Sequence, residues 1–218
     1  MNDKAVTLDA EELLDSTISA DQRNVTKWAN MMNKGTVHAV EGLSKIVGRD
    51  IKVTSFNLRT VSADDICDMV GGPETNMVGV YLSIQSGAPG HILLLYPPKI
   101  ARGLIDMLMG QRSSNSYELE EIEQSALAEV GNIVGSYFLN SIADDTGIRF
   151  VPSPPQVMMD MAGLIVSVAL EDILGRQYTD DIFVMETEFR SEDKKLNGVL
   201  MILPSTDFLT IVRQHTEQ

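Results

Sequence analysis

The segment Ser125-Ala-Leu-Ala-Glu129-Val-Gly-Asn132 gathers a hydroxyl, a carboxylate and a carboxamide into one short stretch. A carboxylate can hold a cation through a charge-assisted hydrogen bond. A carboxamide both donates and accepts hydrogen bonds without carrying charge. At about 100° per residue on a helix, Ser125, Glu129, Asn132 and Ser136 fall within roughly 60° of one another and form a polar row. Glu118 and Glu121 extend the row toward the helix start and Asn140 toward its end, while Leu119, Ile122, Val130, Ile133, Tyr137 and Phe138 belong to other faces, the buried one included. Beside the row lie Ala128, Gly131 and Gly135. A glycine inside a helix costs about 1 kcal/mol relative to alanine, so two of them suggest that something packs closely there. Spacing alone favours the simpler alternative, a solvated polar face whose small neighbours serve helix-to-sheet packing within the protein.

The elements that must carry this row follow from hydrophobic periodicity. A polar stretch over 110–116 divides the chain into halves. The first half, after a tail over 1–20, reads as a helix over 22–47 ended by Gly48, a strand over 51–61, a short helix over 63–69 and a turn at Gly71-Gly72-Pro73. Strands over 77–85 and 91–96 and a helix over 99–109 complete it. The second half reads as a long helix over 118–142, a helical segment over 157–174, strands over 181–190 and 198–203, and a last helix over 206–214. A hairpin followed by proline and a helix thus occurs twice, which suggests an internal duplication with repeats 21–112 and 116–218. The expected fold is an α/β sandwich in which two long exposed helices pack on a largely antiparallel sheet of about six strands, arranged as one domain with pseudo-twofold symmetry.

Composition narrows the partners. The 218 residues are 44% hydrophobic, which fits a folded chain, and 17 Lys and Arg against 31 Asp and Glu give a net charge of −14. Phosphate backbones and anionic membrane surfaces are bound by clusters of basic residues, so this chain is expected to bind neither nucleic acid nor membrane. Cys67 is the single cysteine, and no disulfide framework or thiolate metal cluster can be drawn from it. Its acidic neighbours Asp64, Asp65 and Asp68 oppose an activated thiolate. His38, His91 and His215 share no metal-ligand spacing, so no metal site is expected. With no basic start or long apolar run at its N-terminus, the chain reads as cytoplasmic.

Ser125-x3-Glu129-x2-Asn132, followed by Pro155, resembles the signature of the CheC, CheX and FliY family of chemotaxis phosphatases, and Glu129-Val-Gly-Asn132-Ile133 is similar to that family's E-I-G-N-I. The resemblance implies hydrolysis of the phosphoaspartate on a CheY-like response regulator. It implies that Asn132 orients the attacking water, that Glu129 grips a lysine of the regulator, and that Mg2+ belongs to the regulator, leaving this chain without a cofactor of its own. Ser125 and Pro155 then have supporting roles.

The duplication leads from Asn132 back to Thr26-x3-Asn30-x2-Asn33 in the first helix. The water-positioning amide is present there, but Asn30 stands in place of glutamate, Phe56 in place of the distant proline, and Lys27 and Lys34 add positive charge. One working site is therefore expected, in the second half. The resemblance also points to a CheD partner, with Met158, Asp160 and Met161 as its candidate surface; the duplicated halves can satisfy each other within a monomer. Two alternatives stay open: a non-catalytic adaptor like the rotor component FliM, and a module that regulates CheD.

Overall fold

The computed structural model describes residues 20–62, 65–110, 118–176, 181–193, 196–205, 207, 208, 210 and 214, with the side chains of 20–28 and 172–181 outside that description. Its elements are α1 (Ala20–Val47), β1 (Ile51–Ser62), a 3-10 helix (Ile66–Val70), β2 (Asn76–Ser86), β3 (Gly90–Tyr96), α2 (Pro98–Met109) and α3 (Glu121–Thr146). They continue with β4 (Val151–Pro152), β5 (Gln156–Met161), α4 (Ala162–Arg176), β6 (Asp181–Ser191) and β7 (Asn197–Pro204). The expected tail, and most of the helix expected over 206–214, lie outside the described residues.

Ile92-Leu-Leu-Leu-Tyr96 is a continuous apolar run because β3 is central and covered on both faces. It pairs antiparallel with β2 on one side and β7 on the other. The sheet runs β1-β6-β7-β3-β2-β4, with β5 also on β2. The order is symmetric about the β7/β3 junction: the strand preceding each hairpin pairs with the hairpin of the other half, β1 with β6 and β5 with β2. Neither half could therefore close its sheet alone. The expected α/β architecture with a largely antiparallel sheet is what the chain forms.

One expectation is overturned. The segment expected to be helical over 157–174 begins as strand: Gln156–Met161 pairs antiparallel with β2, Met161 opposite Asn76 and Gln156 opposite Tyr81. Met158, Asp160 and Met161 therefore sit on an edge strand, and the helix starts at Ala162. The free backbone edge of β2 outweighs the helical pattern of this stretch, a tertiary effect that local spacing does not carry. β4 and β5 are one edge strand interrupted at Ser153-Pro154-Pro155, since proline has no N–H for a ladder. Ser153 bridges the gap: its N–H donates to Ser83 O at 2.7 Å and its Oγ accepts from Ser83 N at 3.0 Å.

The apolar residues divide between two faces of the sheet. Val78, Val80, Leu82, Ile92, Leu94 and Tyr96 pack toward α1, α2 and α3, and Tyr81, Leu93, Leu95, Val184 and Met201 pack toward α4 and the 3-10 helix. α1 and α3 run antiparallel side by side. Gly35 meets Phe138 and Ile142, Gly42 meets the Tyr137 ring, and Lys45 lies 5.0 Å over that ring.

Candidate functional site

α3 owes its start to a buried acid. Glu123 accepts the Glu120 N–H at 2.8 Å through Oε2, and Arg102 Nη1 donates to both of its carboxylate oxygens at 3.2 and 3.1 Å. Arg102 Nη2 donates to Glu118 O at 3.1 Å, and Gln124 Nε2 donates to Leu119 O at 2.9 Å. The helix therefore begins at Glu121, not at residue 118, and Glu118 precedes the row instead of extending it. Gly147, with φ 71°, ends it by donating its N–H to Ala143 O at 2.7 Å, a left-handed cap that favours glycine.

From that fixed start, Leu127, Val130, Val134, Phe138 and Ile142 turn into the core, and the opposite face is set. Ser125, Glu129, Asn132 and Asn140 are exposed and Ser136 is half-buried, so the expected row forms on the outer surface of α3. Ser125 Oγ donates to Glu121 O at 2.8 Å, which turns its hydroxyl back along the helix. Among the described residues, neither Glu129 nor Asn132 has a side-chain hydrogen bond or ion pair, so both face outward with their polar groups available.

The small residues beside the row have an internal explanation. A methyl group on Gly131 would overlap Val80 of β2 and come within 3.5 Å of Pro155 Cβ, and one on Gly135 would reach Leu82 at 3.2 Å. What packs closely is the protein's own sheet, together with the proline of the motif. Pro155 thus lies beside the Gly131 backbone, between Glu129 and Asn132 in the chain. Gly131→Ala is expected to cost about 1–3 kcal/mol by overpacking, read as a fall in melting temperature, with a loss of any activity carried by the flanking Glu129 and Asn132.

The first-half counterpart lies on α1. Asn30 is exposed and Asn33 half-buried, whereas the Thr26 and Lys27 side chains lie outside the described residues. Lys34 forms an ion pair with Asp145, near the C-terminal end of α3, at 2.6 Å. A contact 111 positions away leaves no local trace in the sequence. Phe56 packs half-buried against the core from β1.

Elsewhere, burial raises the proton affinity of the Glu186 carboxyl, opposed by Arg59 at 3.3 Å. Glu186 projects from the sheet face opposite the row, as does a cavity of about 260 Å³ lined by Val70, Met77, Leu95, Glu188 and Arg190 among others. Neither adjoins Glu129 or Asn132. Among the described residues no group of three or more His, Cys, Asp or Glu could hold a metal ion, and no helix is long and apolar enough to cross a membrane.

The segment holding the row, residues 122–159, matches the CheC-like family. The resemblance read from the motif therefore holds. The CheC-like match extends beyond it in a curated relative, the CheY-P phosphatase CheC of Bacillus subtilis strain 168, 26% identical over 179 residues that span 80% of this chain and 85% of that protein. The crystal structure of FliY from Thermotoga maritima has the same fold at a TM-score of 0.66 and 21% identity, covering 92% of this chain and 98% of that one. The middle domain of FliM from H. pylori shares it at 0.60 and 13% identity, over 91% and 99% of the two chains.

Proposed function

We propose that this CheC-like protein is a phosphatase for the phosphoaspartate of a CheY-like response regulator, with one working site at Glu129 and Asn132. The observation that carries the reading is the exposed pair Glu129 and Asn132 on the outer face of α3, unpartnered among the described residues and inside the segment that matches the family. Phosphoryl transfer asks a protein mainly for positioning and electrostatics. The regulator's Mg2+ neutralises phosphoryl charge. The carboxamide of Asn132 accepts a hydrogen bond from a water and aims it in line with the aspartyl-phosphate bond. The water oxygen bonds to phosphorus, the aspartate carboxylate leaves, and inorganic phosphate is released. A carboxylate at position 132 would repel the phosphoryl oxygens; the amide does not. Glu129, one turn back, pairs with a regulator lysine and fixes the register.

The first-half site has the amide without the acid. Glu129→Gln is expected to raise the half-saturating concentration of phosphorylated regulator by about tenfold through loss of a charge-assisted bond, whereas Asn33→Ala changes phosphate release little. Equal losses from the two variants, measured as phosphate release over the regulator's own rate, would mean that both halves work.

The FliM-like fold supports a second reading, a non-catalytic adaptor, which binds a regulator without shortening the life of its phosphate. A CheD-type partner would meet strand β5, where Asp160 and Met161 are exposed and Met158 is half-buried.

A further inference from the structure

We propose that Ile122 is an apolar docking anchor for the regulator's receiver domain, an inference that rests on the function proposed above and names a further contact of the same site. Ile122 is 60% exposed, the largest exposure among the large apolar side chains of the described residues. It stands two turns before Glu129 and only about 20° from it around the helix axis. The sequence pattern assigns Ile122 to another face; in the folded chain it belongs beside the row.

A single exposed apolar residue is ordinary on a protein surface. Three observations set this one apart. It lines a shallow depression with Glu120, Glu121 and Ser125, next to the motif. The turn that carries it is held by Arg102, Glu123 and Gln124, so the side chain is presented from a fixed backbone. Its surroundings are acidic: Glu120, Glu121 and Glu129 are all exposed. An anchoring contact ringed by neighbours that exclude water is the anatomy of a binding hot spot, and here the ring is acidic. The complementary partner surface is apolar beside lysine or arginine, within reach of the same lysine that Glu129 holds.

The test titrates beryllofluoride-loaded CheY-type receiver domains of the same organism against the 218-residue chain, with phosphate release followed in parallel on the phosphorylated forms. Ile122→Ala is expected to weaken binding about tenfold, the loss for removing most of a buried aliphatic side chain. The release rate at saturation should stay unchanged. Ile122→Leu is expected to restore binding, because it keeps the apolar area. Alanine favours helix, so a shared unfolding temperature with the parent separates docking from folding. Wild-type affinity in Ile122→Ala, or Ile122→Leu as weak as Ile122→Ala, overturns the anchor. Binding without accelerated phosphate release overturns the phosphatase reading alone, and the same titration still decides Ile122. Absence of binding by the parent protein overturns both.

Discussion

Asn132→Ala is expected to remove the acceleration of phosphate release by at least about 100-fold while leaving regulator binding near the parent level, the scale seen when one positioning group is taken from a preorganised site. Asn132 is exposed and makes no side-chain hydrogen bond among the described residues, so its truncation breaks nothing inside the protein. The backbone beneath it is held independently, by Gly131 against Val80 and Pro155. A stability loss should therefore not accompany the activity loss. Asn132→Asp makes the sharper companion: its volume is nearly the same, but its charge opposes the phosphoryl oxygens, and it should be as inactive as alanine. Single-turnover phosphate release, with thermal unfolding as the control, separates these outcomes. Retained activity in either variant would place the hydrolytic water elsewhere.

Arg102→Ala is expected to destabilise the fold by about 3 kcal/mol, because it takes the cation from a carboxylate whose side chain is 2% exposed. For a domain of this size that corresponds to a fall in melting temperature of roughly 6–12 °C. Glu123 also receives the Glu120 N–H, so the damage is concentrated where α3 begins, the turn that sets Glu121, Ile122 and Ser125. Glu123→Gln in the Arg102→Ala background removes the buried charge and should recover a measurable part of the loss, which a double-mutant cycle reads directly. Strict additivity of the two substitutions would mean that the pair does not hold the helix start.

The polar row on α3 was more legible in the sequence than the contacts that support it. Ser125, Glu129 and Asn132 form a row because helical spacing is local and needs no partner distant in the chain. Strands β2, β3, β6 and β7 were legible for the same reason. The misread parts depend on partners distant in the chain. Gln156–Met161 is a strand because β2 offers it an edge. Glu123 looks like one more surface acid, and its pairing with Arg102 on a different helix, which makes it a buried anchor, leaves no local pattern. The glycines beside the row do signal close approach, but the approaching group is Val80 of the protein's own sheet and not a partner. Ile122, which the sequence reading sets on another face, is seven positions from Glu129 and so lies about 20° from it around the helix axis.

The −14 charge also gains a location. Glu121 and Glu129 lie on the exposed face of α3, whereas Lys34 on α1 is tied to Asp145. Acidity is thus displayed around the second-half site, where a regulator lysine would be received.

The most direct measurement is the lifetime of phosphoaspartate on a CheY-type regulator of the same organism, with and without catalytic amounts of this protein, in Mg2+. A working site at Glu129 and Asn132 shortens that lifetime in proportion to the protein added, and the effect disappears with Asn132→Ala. An unchanged lifetime in the presence of a regulator that demonstrably binds would contradict the phosphatase and leave a CheC-like adaptor.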